Sequence, residues 1–174
     1  YEDLKYRISA NALRTTMGSD CVVVGGGLAR CFNLRPDAQG FSLNEFGMRM
    51  RQGPLYMEVV HSPLRGITSV AQVEAYQLPG PYDPARYLRA EQDIARFSHD
   101  YFVIGDCELT MFELSWHLVG MQQYMEDLAS GAAYIEALLE KAHFWSLGIA
   151  TELVRRGVDA IWFGDDFGGQ KGLL

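Results

Sequence analysis

The alternation of apolar and polar positions divides the chain into strand-like and helix-like segments. Leu4, Ile8, Ala12 and Leu13 recur at helical spacing as far as Met17, and Gly18 is placed to end that helix. Cys21-Val22-Val23-Val24 is a short β-branched run closed by Gly25-Gly26-Gly27, the pattern of a strand buried on both faces and then turned sharply. From Arg30 to Asn44 no period holds, and Pro36, Asp37, Gly40 and Ser42 predict a long loop. Phe46 to Arg51 and Leu55 to His61 flank Gln52-Gly53-Pro54 and predict a hairpin. Thr68 is placed to cap a short helix through Tyr76, and a longer helix is expected from Pro84 to His99.

A second apolar run, Tyr101-Phe102-Val103-Ile104, ends at Gly105-Asp106, which reads as a turn. Helical spacing returns over Leu109 to Leu118, Met121 to Leu128 and Ala132 to Arg156. In the last of these Ile135, Leu138, Leu139, Ala142, Trp145, Ile149 and Leu153 form one apolar stripe that Gly157 stops. Val158 to Phe163 is the third strand, followed by the polar, glycine-rich loop Gly164 to Gln170. Strands alternating with helices predict an α/β fold with parallel strands near 21-24, 101-105 and 158-163. Ligands in such folds bind beyond the carboxyl ends of the strands, so the polar residues there are the ones to weigh.

Charge removes one class of function. Fifteen Lys and Arg against 22 Asp and Glu leave a formal charge of −7, which disfavours nucleic acid as a partner because phosphates are held largely by Lys and Arg. No stretch approaches the roughly 20 apolar residues of a membrane helix, and no charged-then-apolar leader opens the chain, so no membrane role and a cytoplasmic location are expected. The three cysteines, Cys21, Cys31 and Cys107, have no C-x-x-C spacing, and His61, His99, His117 and His143 show no H-x-x-x-H or H-x-C spacing; no metal site within this chain is expected.

Candidate chemistry gathers after the strands. Gly25-Gly26-Gly27-Leu28-Ala29-Arg30 fits a dinucleotide loop poorly, since Arg30 stands where the third glycine or alanine is needed; a tight turn with Arg30 facing an anionic ligand fits better. Asp165-Asp166 is the strongest local signal, because two carboxylates at the end of a buried strand need a partner, a metal or a substrate proton. The plainer alternative is a helix-capping or turn-binding aspartate. Asp106 occupies the same place after the second strand, with Glu113 and Trp116 on the helix beyond it, a pairing of acid and aromatic that suits a flat polar ligand and equally suits a surface face. Gln170 adds an amide for a polar substrate group.

Ile161-Trp162-Phe163-Gly164-Asp165-Asp166-Phe167-Gly168-Gly169-Gln170-Lys171-Gly172 resembles the strand-and-loop signature of the uroporphyrinogen decarboxylase superfamily, which includes the corrinoid-linked methyltransferases. Asn44-Glu45-Phe46-Gly47-Met48, Pro63-Leu64, Thr68, Glu74, Phe112-Glu113, Gly120 and Leu128 follow in that family's order. The resemblance implies a (β/α)8 TIM barrel with Asp106, Asp165 and Asp166 facing the catalytic rim; taken with the residue reading above, Asp165 and Asp166 are expected to be catalytic and Arg30, Asn44, Asp106, Glu113, Trp116 and Gln170 to bind substrate. It departs from the decarboxylases in having Ala38, with Asp37 one step away, where their catalytic aspartate lies, and Trp116 in place of their substrate-binding tyrosine. The Asp-Asp-x-Gly-x-Gln loop looks more like the methyltransferase branch. That branch implies a corrinoid as substrate or carried by a partner protein, a small-molecule substrate, and zinc whose ligands would fall beyond Leu174. Uroporphyrinogen decarboxylation and a non-catalytic tetrapyrrole-binding protein stay open as alternatives. A complete barrel takes about 250 residues. The expectation is therefore that residues 1-174 are the central fragment of one such domain, incomplete at both ends and inactive alone.

Overall fold

The computed structural model describes residues 10–28, 36–55, 57–169 and 171–173. Arg30, Gln170 and residues 1–9, where the first helix was expected to begin, lie outside the described residues. Three strands, β1 (Cys21–Gly25), β5 (Phe102–Glu108) and β6 (Ala160–Gly164), form a parallel sheet in the order β1-β5-β6, with Val22 beside Val103, Gly105 beside Ile161 and Glu108 beside Gly164. In the chain between β1 and β5 come the strands of a separate antiparallel sheet, β2 (Phe41–Leu43), β3 (Arg49–Gln52) and β4 (Met57–His61). The α-helices are α1 (Ala10–Thr16), α2 (Val70–Ala75), α3 (Leu88–Phe97), α4 (Met111–Val119), α5 (Met121–Ser130) and α6 (Tyr134–Arg155), with a 3-10 turn at Pro84–Tyr87; a small hairpin, β7 (Gly168–Gly169) and β8 (Gly172–Leu173), ends the described chain.

Alternate residues of β1 and β5 are buried: Val22, Val24, Val103 and Cys107 are covered by the helices that pack on the sheet. Helix α6 lays Ile135, Leu138, Ala142, Trp145, Ile149 and Leu153 into the same core, the stripe its spacing predicts. It ends at Gly157, whose φ of +90° a β-carbon would strain. At the outer edge of β1, Asn11 of α1 takes the place of a neighbouring strand. Its amide accepts the Val23 N–H at 3.0 Å and donates to the Val23 carbonyl at 2.8 Å, satisfying backbone groups that the sheet leaves unpaired.

Two local expectations need correction. Residues 41–43 form a strand where a loop was expected, because two side chains build the turns on either side of it. Asp37 accepts the N–H groups of Gln39 and Phe41 at 2.9 and 3.0 Å, and Asn44 accepts those of Phe46 and Met48 at 3.1 and 2.9 Å. The turn expected at Gly105-Asp106 is also absent: β5 runs on to Glu108, and Leu109 makes the turn with a φ of +59°. Gly105 is small for packing reasons, since a β-carbon there would stand 2.8 Å from Ile161 Cδ1 and 3.2 Å from Val158 Cγ2.

Candidate functional site

The carboxyl ends of β1 and β5 open onto a cavity of about 350 Å³. Its apolar wall includes Phe46, Trp145 and Ile149, while Asn44, Asp106 and Glu108 supply polar groups. Phe46 and Trp145 meet edge to face with centroids 5.0 Å apart, which fixes that wall. The glycines after β1 serve close packing: the Gly27 N–H donates to the Arg86 carbonyl at 2.8 Å, and a β-carbon on Gly27 would come within 3.0 Å of that oxygen.

Beneath this wall lies an ion pair that local sequence patterns do not disclose. Arg86 donates to both carboxylate oxygens of Glu45, at 3.0 and 2.5 Å, and to the carbonyls of Gly27 and Gly80 at 2.6 and 2.7 Å. The two side chains are 1% and 6% exposed, so the charges are matched inside the fold and Arg86 has its donors engaged. Cys107, also at the cavity, donates its thiol to the Ser146 carbonyl at 3.3 Å. Burial, with Asp106 adding to it, pushes the thiol up to about 11, which keeps the sulfur protonated and unreactive.

The second group of candidate residues surrounds the start of α4. Asp165, just past β6, accepts the N–H groups of Phe112 and Glu113 at 3.1 and 2.7 Å. It thus caps a helix on another element, one whose own N-cap residue, Thr110, makes no side-chain cap bond. Asp166 accepts the Gly168 N–H through Oδ1 at 2.9 Å, and no partner for its Oδ2 is found among the described residues. The loop is held down by Phe167, whose ring lies 4.7 Å from that of Phe112. Glu113 is therefore ringed by carboxylates. Burial raises its affinity for a proton above the usual carboxylate range, and Asp165, Glu108 and Asp166 raise it further.

One turn along α4, His117 Nε2 stands 3.6 Å from Glu113 Oε1, with the Trp116 ring stacked on the imidazole at 3.7 Å. Trp116 Nε1 and His117 Nδ1 are buried with no partner among the described residues. Burial pushes His117 from 6.5 down to about 4, so the imidazole is neutral at pH 7. A depressed pKa gives stability that is present above 6.5 and lost as the pH falls toward 4. Glu113, with its raised pKa, acts in the opposite sense over the ordinary carboxylate range and above. Urea midpoints measured from pH 7 to pH 4 should fall less steeply for His117→Gln than for the natural protein; parallel curves would contradict the assignment.

Thus Asn44 and Asp106 come together at the cavity, and Asp165, Asp166 and Glu113 come together at the start of α4. Glu108 joins the two, lining the cavity and acting on Glu113. Asn44 uses its amide oxygen in the turn before β3, Asp106 Oδ1 accepts the Glu108 N–H at 3.2 Å, and Trp116 does not line the cavity. Arg30 and Gln170 lie outside the described residues. Glu108 and the Glu45–Arg86 pair were missed in the sequence; Glu45 sits inside the Asn44–Met48 motif, but its partner is 41 residues away.

Fold and site define a mixed α/β protein with a three-stranded parallel sheet whose acidic groups collect at the carboxyl ends of β5 and β6. No protein-family model, curated protein or solved structure matches the chain. Among the described residues no helix is long and apolar enough to cross a membrane, and no group of three His, Cys, Asp or Glu side chains is arranged to hold a metal ion.

Proposed function

We propose that this chain is the central part of a (β/α)8 barrel of the uroporphyrinogen decarboxylase superfamily, and that the whole protein is a corrinoid-linked methyltransferase. The observation that carries the reading is the collection of Asp106, Glu108, Asp165 and Asp166 at the carboxyl ends of neighbouring parallel strands, where Asp106 and Glu108 line the cavity and Asp165 and Asp166 follow β6 outside its lining. Trp162 and Phe163 of β6 are 52% and 56% exposed, an apolar edge that further barrel strands and helices would cover.

A cavity of about 350 Å³ suits a small methyl donor or acceptor and is too small to enclose a corrin ring, which favours a corrinoid presented from outside by a carrier protein. The described residues do not fit a zinc site. The role of this chain is then to hold the small substrate: Asp166 through its open oxygen, Asp106 and Glu108 from the strand end, and Asp165 by fixing the first turn of α4. Uroporphyrinogen decarboxylation is less favoured because Asp37, nearest in sequence to the expected catalytic position, is used to close the turn before β2.

The test offers both substrates to purified full-length protein. Consumption of methylcobalamin with a thiol acceptor supports the reading. Release of carbon dioxide from uroporphyrinogen would overturn it in favour of the decarboxylase, and corrinoid binding without turnover would overturn it in favour of a tetrapyrrole-binding protein.

A further inference from the structure

A second cavity, of about 420 Å³, lies at the junction of β4 and α5 and includes His61, Ser62, Arg65, Gln122, Gln123 and Glu126 in its lining. Helix α5 starts here at Gly120, whose φ of +102° turns the chain between α4 and α5 and which offers no side-chain cap. The first hydrogen bond of the helix runs from the Tyr124 N–H to the Gly120 carbonyl, so the N–H groups of Met121, Gln122 and Gln123 precede the intrahelical ladder. Ser62 is 7% exposed, yet its hydroxyl has no partner among the described residues. That hydroxyl faces the helix start, with Oγ 3.8 Å from where a β-carbon on Gly120 would stand. Arg65 is exposed and its guanidinium is likewise unpartnered among the described residues. Glu126 is the opposing charge, and its carboxylate accepts the Gln122 amide at 3.0 Å.

The surrounding backbone is braced. The Leu64 N–H donates to the Leu118 carbonyl at 2.9 Å, the Gly66 N–H to Gln123 Oε1 at 2.8 Å, and Gln123 Nε2 to the Ile67 carbonyl at 3.0 Å. Loop and helix are therefore held together before any ligand arrives.

We propose that this cavity binds an oxyanion, a phosphate or carboxylate group of a small molecule, on the α5 N-terminus, the Ser62 hydroxyl and the Arg65 guanidinium. Free N–H groups and the helix dipole favour negative charge there, the Ser62 hydroxyl opens onto the cavity from an otherwise buried residue and can donate to an anion in it, and Arg65 neutralises the charge. The site is independent of the Asp166 cluster and of the reaction proposed for it.

Calorimetric titration of the full-length protein with inorganic phosphate, and separately with acetate, against chloride at equal ionic strength tests the site. Saturable binding of phosphate or acetate is expected, the stronger of the two identifying the ligand group. Arg65→Gln should weaken it roughly tenfold, Ser62→Ala severalfold, and Glu126→Gln should strengthen it. Absence of saturable heat with both anions would overturn the proposal, as would unchanged affinity in Arg65→Gln.

Discussion

Asp166→Ala in the full-length protein is expected to lower the proposed methyl transfer by about two to three orders of magnitude while the protein stays folded. The two aspartates after β6 are chemically alike but differently committed. Both Asp165 oxygens are taken by N–H groups of α4, whereas Asp166 uses Oδ1 on Gly168 and leaves Oδ2 for another group. Asp166→Asn separates charge from loop geometry, since an amide oxygen still accepts the Gly168 N–H; it should retain the fold and share the loss of activity. Asp165→Ala should act through position, destabilising the protein by about 1–2 kcal/mol as the first turn of α4 loses its cap. Asp165→Asn, with one acceptor oxygen, should recover part of that stability. Full turnover in both Asp166 variants would remove Asp166 from the site.

Arg86→Met is expected to lower the free energy of unfolding by about 3–5 kcal/mol, read from urea denaturation. Most of this cost is the loss of the Arg86 guanidinium from the buried Glu45 carboxylate, with the carbonyls of Gly27 and Gly80 losing donors as well. Pairing it with Glu45→Leu should restore much of the loss, because the buried carboxylate that Arg86 neutralises goes with it. Should Arg86→Met fail to fold, Arg86→Lys provides the same test on a milder scale, keeping the charge but not the two-pronged geometry. A midpoint unchanged in either variant would show that the pair contributes little. The pair also braces the cavity wall, since Glu45 and Arg86 both line it.

What local pattern can encode, the sequence made readable. The β-branched run at Val22–Val24, the stripe along α6 and the stop at Gly157 each follow from side chains within a few residues of one another. The shortfalls have a common cause in distance. Gly105-Asp106 looks like a turn because its neighbours in sequence say so, while the atoms that require a glycine there belong to Val158 and Ile161. Asp165 was recognised as a possible cap, but the helix it caps begins more than 50 residues earlier in the chain. Arg86 shows nothing locally of its tie to Glu45. The short strand β2 escaped for a different reason: three residues are too few to display alternation, and only the turns built by Asp37 and Asn44 fix it. For the candidate site, the sequence pointed to the carboxyl ends of the parallel strands, where Asp106 and Asp165 do lie, and it could not reveal that Asn44 and Asp165 spend their oxygens on backbone.

The most direct measurement follows the corrinoid spectrum while purified full-length protein is mixed with methylcobalamin and a thiol. Loss of the methyl-corrinoid absorbance is expected in step with appearance of the methylated thiol by mass spectrometry, and neither change with Asp166→Asn. An unchanged corrinoid spectrum, in protein that releases carbon dioxide from uroporphyrinogen, would contradict it.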